Sequence, residues 1–139
     1  MREILFRGKR LDNGEWVEGA FLKTETALYI CIAVSNISYE DNGKSRRIGR
    51  WYEVDTSTVG QYTGLLDKNG KRIFDGDVLR SCYDCLYPDD ESIEVVKWFH
   101  NGWHTQEGEY LPDAMDRDGV MPYSEVIGNI HDNPELLEK

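Results

Sequence analysis

Residues 60–79 read GQYTGLLDKNGKRIFDGDVL, and this stretch decides the fold. Its apolar and β-branched residues come in short runs separated by two sharp turns, Asp67–Gly70 and Asp75–Asp77. Asn and Gly tolerate the positive φ of a tight turn, and an Asp side chain accepts backbone hydrogen bonds there. Two such turns close together predict short strands that bend to close a small β-barrel.

The same turn signal recurs along the chain as four Asn-Gly dipeptides. They are Asn13-Gly14, Asn42-Gly43, Asn69-Gly70 and Asn101-Gly102. Asn-Gly between strand-like segments is typical of a tight hairpin connection. The pattern therefore predicts antiparallel hairpins along most of the sequence.

Three further segments have strand character: Leu28–Val34, Ile48–Val54 and Ile93–Phe99. The first is almost continuously apolar, so we expect a buried strand with Cys31 as an inert core residue. At the C-terminus, Asn133 can cap a short helix whose first position is Pro134. A second short helix is expected near residues 113–116. The predicted fold is mainly β, a small barrel or sandwich with a short C-terminal helix.

The length of 139 residues predicts one domain, residues 1–139, with two small β lobes at about 1–57 and 58–139. Charge interrupts the first residues before an apolar signal segment could form, and no apolar run has the length of a membrane span. Three cysteines without a secretory signal suggest free thiols in a reducing compartment. We therefore expect a protein of the bacterial cytoplasm.

The net charge of −10 is unevenly distributed. Residues 1–69 carry ten Lys and Arg against ten Asp and Glu, whereas residues 70–139 carry six against sixteen. The acidic half would repel a phosphate backbone. One basic patch stands out, made by Lys44, Arg46, Arg47 and Arg50 beside Trp51 and Tyr52. Basic residues next to aromatic ones can bind single-stranded nucleic acid, but a solvated loop edge explains the patch better, and direct nucleic-acid binding is not expected.

One spacing matches a Cys₂His₂ zinc site. It is formed by Cys82, Cys85, His100 and His104. Two thiolates and two imidazoles would fill tetrahedral zinc and leave no open position, so the metal would be structural. The Asn-Gly turn between the histidines argues against the helix that a zinc finger places there. Unpaired thiols and hairpin histidines are therefore the preferred interpretation, and no cofactor is expected.

A second spacing resembles an EF-hand loop. With Gly119 at its sixth position, Asp116 and Asp118 fall at the third and fifth and Glu125 at the twelfth. Ala114 occupies the first position, where a carboxylate is expected, so an acidic surface loop is the better interpretation. The sequence contains no recognised motif for nucleophilic, metal-dependent or phosphoryl-transfer chemistry, and we expect a non-enzymatic protein.

Four segments together resemble the YopX family of phage and prophage proteins. They are REILFRG at residues 2–8, GEWVEG at 14–19, QYTGL to GDV between residues 61 and 78, and IGNIHDNPELL at 127–137. The resemblance implies a β-dominated fold with an SH3-like barrel and added strands, and self-association of the chain. It implies no catalytic residues, and the zinc-like quartet lies outside the matching segments.

These observations lead to two functional hypotheses. The first is a non-enzymatic phage or prophage accessory protein that acts as a homo-oligomeric binding module toward a host or phage protein. The second is an acidic inhibitor, or DNA mimic, which would occupy a basic nucleic-acid-binding protein of the host through residues 70–139.

Overall fold

The structure is a computed structural model that describes residues 4–41, 44–82, 91–99, 102–105 and 118–137. It contains ten β-strands: β1 Phe6–Lys9, β2 Trp16–Lys23, β3 Leu28–Asp41, β4 Lys44–Val54, β5 Gly60–Leu66, β6 Arg72–Phe74, β7 Asp77–Cys82, β8 Glu91–Phe99, β9 Gly102–Thr105 and β10 Ser124–Asn129. Two 3₁₀ turns lie at Thr56–Thr58 and Pro134–Leu137. Within the same ranges, no helix has the length and apolar character needed to cross a bilayer.

The chain divides into two compact units, and the boundary falls within β5. The N-terminal unit is Ile4–Gln61, and the C-terminal unit begins at Tyr62. The mainly β prediction is confirmed, because the described strands form antiparallel sheets almost without helix.

The N-terminal unit is built on an antiparallel sheet of order β4-β3-β2-β1, to which the first residues of β5 add by pairing with β1. Side chains alternate across a strand, and one face of this sheet forms a small core of Val17, Ile30 and Val54. Five partly buried apolar residues pack around these three: Phe6, Leu28, Ile32, Tyr52 and Val59. The opposite face of the sheet is called the outer face below.

The C-terminal unit contains a four-stranded antiparallel sheet of order β10-β7-β8-β9 and the β5–β6 hairpin. Its core is larger than that of the N-terminal unit. It consists of Leu65, Ile73, Leu79, Val96, Trp103 and Met121, with Val126 packed against it. Residues 60–79 supply the first three of these core residues, so this stretch builds a core as well as turns.

The four predicted hairpins are confirmed by strand pairing: β1 pairs with β2, β3 with β4, β5 with β6 and β8 with β9. Gly14 and Gly70 have φ of 72° and 81°, which an L-residue rarely adopts. The residues Asn42, Gly43 and Asn101 lie outside the described ranges. The pairs Asp41↔Lys44 and Phe99↔Gly102 nevertheless close the hairpins at these positions.

Two details of the prediction are not confirmed. The described strands form no closed barrel, so the SH3-like barrel stays a prediction. The segment expected to form a C-terminal helix is a single 3₁₀ turn, Pro134–Leu137. Asn133 precedes this turn, but its side-chain oxygen accepts from the backbone N–H of Asn129, which ties the turn to the end of β10. The helix expected near residues 113–116 falls outside the described residues.

Candidate interaction surface

The outer face of the N-terminal sheet exposes apolar side chains in cross-strand rows. Ala20 on β2 pairs with Cys31 on β3, which pairs with Trp51 on β4. In the next row, Leu22 pairs with Tyr29. Trp51 is 51% exposed and Leu22 is 44% exposed, whereas Tyr29 and Cys31 are half-buried. Directly opposed side chains lie within contact range, so the five residues form one exposed apolar patch.

The patch corrects two expectations about β3. The segment Leu28–Val34 was predicted to be buried throughout, but along Leu28–Ile32 only Ile30 is fully buried. Cys31 was predicted to lie in the core, yet it is a half-buried free thiol on the outer face. The continuous apolar run therefore covers two faces of one strand, one in the core and one at the surface.

A cationic cluster extends the same side of β2 toward its N-terminal end. The Arg7 guanidinium lies 4.8 Å from the centre of the Trp16 ring, and Lys9 Nζ lies 5.7 Å from it. Trp16 precedes Ala20 by four residues and Leu22 by six residues on β2. Because side chains alternate along a strand, all three point to the same side of the sheet. Cations above an indole are attracted by its negative ring face.

On the opposite side of the sheet, Arg10 stacks over the Tyr52 ring, with its guanidinium carbon 4.1 Å from the ring centre. Arg10 also pairs with Asp12, to which Nε donates at 2.8 Å. The hydrogen bond from Arg10 holds the pKa of the Asp12 carboxyl below its usual value, and Asp12 in turn raises the pKa of Arg10. The pair is exposed, so it fixes the position of Arg10 more than it stabilises the fold.

The strand β4 stands at one end of the strand order of the N-terminal sheet, and the residue after it, Asp55, donates its N–H to the carbonyl of Lys9, so that Val54 bridges Arg10. β2 pairs with β3 only as far as Cys31, while the β3–β4 pairing continues to Asp41↔Lys44 with an irregularity between Ala33 and Ser38. Beyond Cys31, the described strands therefore form a two-stranded ribbon. An isolated two-stranded hairpin is at best marginally stable in water.

The predicted basic patch lies on β4, not on a loop edge. Lys44, Arg46 and Arg47 occupy register positions in the ribbon, and Arg50 is exposed opposite Ile32. Trp51 follows Arg50 directly, so the two side chains point to opposite faces of the sheet. Arg50 and Trp51 are thereby placed on different surfaces, whereas Arg50 and Tyr52 share one face.

The zinc-like quartet is not brought together where the structure describes it. Cys82 ends β7 opposite Glu91, and His104 lies on β9 opposite Lys97. Glu91 and Lys97 are six residues apart on β8, which is about 20 Å along a strand. Two ligands of one zinc ion cannot span that distance, given metal–ligand bonds of about 2.0–2.3 Å. Cys85 and His100 lie outside the described residues.

The EF-hand-like segment is described only from Asp118 onward, and Asp116 and Ala114 lie outside the described residues. Glu125 is on β10 opposite Arg80. Its carboxylate binds Arg80 at 2.9 Å and Lys68 at 3.2 Å. A carboxylate held by two cations is poorly placed to complete a calcium loop. Within the described ranges, no group of three or more His, Cys, Asp or Glu residues could hold a metal ion.

The two buried carboxylates within residues 60–79 accept hydrogen bonds from backbone N–H groups. Asp67 accepts hydrogen bonds from the N–H groups of Asn69, Lys71 and Val126, at 2.9, 2.9 and 3.0 Å. Asp77 accepts from the N–H of Phe74 at 2.7 Å. Both side chains are 1% exposed. The turn role predicted for Asp67 and Asp77 is confirmed, and for Asp67 it extends across to β10.

Most of the apolar patch and the Trp16 cluster could not be recognised from the sequence. Apolar residues do not alternate regularly on β2, because Trp16 is adjacent to Val17 and the residues Ala20, Phe21 and Leu22 are consecutive. A clean period of two would have indicated which residues face solvent. The pairing of Ala20, Cys31 and Trp51 depends on strand register, which the sequence pattern leaves open.

The fold and this surface define a class: a mainly β protein of two antiparallel units, one of which has an exposed apolar sheet face. The chain belongs to the YopX family, because the family model described as "YopX protein" matches residues 5–138. The resemblance seen in the sequence is thereby confirmed.

Among solved structures, the crystal structure of protein EF1440 from Enterococcus faecalis is similar to this chain. The two sequences are 28% identical, the match covers 99% of this chain and 100% of that chain, and the TM-score is 0.66. The search of curated proteins finds no match.

Proposed function

We propose that this protein is a non-enzymatic, self-associating binding module that serves a phage or prophage as an accessory protein in the bacterial cytoplasm. The observation that carries the proposal is the apolar patch of Ala20, Leu22, Tyr29, Cys31 and Trp51 on the outer face of the N-terminal sheet. Family membership supports the phage or prophage context.

The patch supports association because it is contiguous and uses large side chains. Large contiguous apolar patches on soluble proteins generally mark interaction sites. Aromatic residues such as Trp51 and Tyr29 are the side chains that most often anchor an interface. Among the residues whose burial the structure describes, the core of the N-terminal unit contains three buried apolar residues, so burial of the outer face would add substantially to its apolar contacts.

The non-enzymatic part is supported by the use of the buried carboxylates. Asp67 and Asp77 are the charged residues most fully removed from solvent among those described, and both are acceptors for backbone N–H groups. A carboxylate occupied in this way stabilises a turn and is a poor general base, since its lone pairs are already engaged.

Light scattering coupled to size exclusion tests the proposal. The chain is expected to elute as an oligomer, and Trp51→Ala is expected to shift it toward monomer because the centre of the patch is lost. Trp98→Ala is a matched control: Trp98 is 53% exposed but lies in the C-terminal unit, edge-on to Trp103. A monomer at every concentration would contradict self-association.

A second candidate function is the acidic inhibitor or DNA mimic, which the charge of residues 70–139 favours. The excess of ten carboxylates in that half would attract a basic host protein, and the attraction would weaken with salt. In a pull-down from host lysate, a captured protein should be released both by salt and by competing duplex DNA. If no captured protein responds to DNA, this function is excluded.

A further inference from the structure

The second half of β2 has an open edge. β2 pairs with β1 through Trp16–Gly19 and with β3 through Ala20–Lys23, and these two partners lie on opposite sides of it. β1 begins at Phe6, opposite Gly19, and no described strand pairs with that side of β2 beyond this residue. All four residues of the second half, 20–23, are exposed. An edge of this kind is a template for an added strand.

The backbone groups of Phe21 and Lys23 point to this open side. The N–H and C=O groups of successive residues in an antiparallel strand alternate between its two sides. At the end of the β2–β3 pair, the N–H of Thr24 donates to the carbonyl of Ala27, so every second residue before Thr24 bonds to β3. Phe21 and Lys23 fall between those residues. Their hydrogen-bonding groups are therefore directed away from β3, in line with the end of β1.

Three kinds of side chain follow one another along this edge. Phe21 is 38% exposed and stacks on Phe6, with ring centres 4.9 Å apart. Lys23 shares that face of β2 and lines a cavity of about 250 Å³ together with the β2–β3 turn and Thr56. Within the described ranges, no carboxylate forms an ion pair with Lys23. Leu22, between them, lies on the outer face within the apolar patch.

We propose that this edge binds one extended peptide segment of a partner protein, which adds to β2 as an antiparallel strand in line with β1. The segment exchanges backbone hydrogen bonds with Phe21 and Lys23, and its side chains give specificity. From its N-terminus, it places an acidic residue opposite Lys23, an apolar residue opposite Leu22 and an aromatic residue opposite Phe21. Opposite charges and apolar or aromatic pairs stabilise directly opposed positions of a sheet. The inference rests on the proposed binding role and names the chemistry of the partner.

A separate segment fits this edge better than a second copy of β2. β1 lies on the same side of β2 as the open edge. If two β2 strands paired antiparallel with Phe21 opposite Lys23, the turn after Lys23 in each copy would reach the place where β1 of the other copy begins. An extended peptide brings neither a turn nor a neighbouring strand. The edge is four residues long, about 13 Å, which is the size of a short linear motif.

Methylation of the peptide backbone tests the strand pairing. The probe is a labelled peptide with glutamate, valine and phenylalanine in that order, and fluorescence anisotropy measures its Kd for the full chain. A methyl group on the phenylalanine nitrogen removes the N–H that faces Phe21 and should weaken binding about tenfold. The valine nitrogen points away from β2, so its methylation is the matched control and should leave Kd within about threefold. Equal effects of the two methyl groups, or no binding of the parent peptide, would overturn the proposal.

Exchange of charge tests the register. Lys23→Glu should weaken binding of the glutamate peptide about fivefold and should strengthen binding of a peptide with lysine in its place. Lys97→Glu makes the same change of charge at an exposed position of β8 and should leave both affinities unchanged. If Lys23→Glu keeps the preference for the glutamate peptide, the register is wrong.

Light scattering separates this site from self-association. The peptide is expected to bind without changing the oligomer, and to bind equally well to the Trp51→Ala chain. An intact oligomer that does not bind the peptide would overturn this site and leave self-association standing. A monomeric wild type that binds the peptide would do the reverse. Dissociation of the oligomer by the peptide would assign the edge to a second copy and overturn the choice of a separate segment.

Discussion

At the residue scale, Asp67 connects a turn to a strand far away in sequence. One carboxylate oxygen caps the turn at Asn69 and Lys71, and the other binds the N–H of Val126 on β10. The backbone of the next residue strengthens the link, because the N–H of Lys68 donates to the carbonyl of Ser124. The turn is therefore held by the C-terminal sheet and not only by its own hairpin.

Replacing this carboxylate should be costly. Asp67→Ala leaves three backbone N–H groups without their acceptor, and we expect the free energy of unfolding to fall by about 3 kcal/mol. Asp67→Asn keeps one acceptor oxygen and should cost about half as much. Urea unfolding followed by fluorescence measures both. Glu25→Ala, at an exposed bend, is the control and should lie within about 0.5 kcal/mol of wild type; an equal loss in the control would contradict the assignment.

The Arg10–Asp12 pair gives a pH-dependent prediction. The pKa of Asp12 is lowered in the folded protein, so the pair's contribution is present above the ordinary carboxyl pKa. It is lost as the pH falls through the lowered value. The effect on stability should be small, since the Asp12 side chain is 64% exposed.

Carboxyl titration by NMR measures this directly. Arg10→Gln should return the pKa of Asp12 toward its ordinary value, because the main hydrogen-bond donor is removed. Arg72→Gln removes another arginine that stacks on a tyrosine, Tyr62 at 5.8 Å, and should leave the pKa of Asp12 unchanged. If Arg10→Gln has no effect on the titration, the ion pair does not form in solution.

At the element scale, β2 approaches β3 so closely at Gly19 that there is no room for a side chain at this position. A Cβ on Gly19 would lie 2.0 Å from the carbonyl oxygen of Cys31. That atom belongs to the backbone of β3 and cannot rotate away. Gly19 is also the residue at which β2 changes from pairing with β1 to pairing with β3.

Gly19→Ala should separate the two strands and lower the free energy of unfolding by about 3 kcal/mol. Gly70→Ala is the matched comparison, because its φ is 81° but nothing lies within 4 Å of an added Cβ. That change should cost about 1 kcal/mol through backbone strain alone. Thermal unfolding ranks the two variants, and a milder effect at Gly19 would show that β3 can move away from β2.

At the scale of the whole molecule, local turn signals predicted the hairpins but could not predict which distant strands pair with each other. Each Asn-Gly turn joins strands that are neighbours in sequence, so its chemistry alone specifies the pairing. The β1–β5 pair Phe6↔Gln61 and the β7–β10 pair Asp77↔Asn129 join distant segments. Their register depends on core packing, and the same holds for the rows that make the apolar patch.

Only part of the candidate surface could be recognised from the sequence. The basic and aromatic residues of β4 were recognised, but their adjacency suggested one mixed patch. Strand alternation instead divides Arg50 from Trp51. The place of β4 at the end of the strand order could not be predicted, because it depends on which other strands pair with it.

Self-association should couple stability to protein concentration. A folded state that associates is stabilised by mass action, so Tm should rise when the protein is concentrated. Trp51→Ala should abolish this dependence, and Trp98→Ala should keep it. Differential scanning calorimetry over a wide concentration range provides the measurement. A Tm independent of concentration in the wild type would contradict an associating native state.

The two fully described Asn-Gly turns also bear on how the protein ages chemically. Asparagine before glycine loses its amide when the glycine nitrogen attacks the side-chain carbonyl, ammonia leaves, and water opens the resulting imide. In the folded chain, Gly14 N–H donates to the carbonyl of Arg10 and Gly70 N–H donates to that of Asp67. Both attacking nitrogens are thereby engaged, so deamidation at Asn13 and Asn69 should be slow in the native protein and fast once it unfolds. The isoaspartate content at Asn13 and Asn69, measured by peptide mapping, should therefore increase with the time that the protein has spent unfolded.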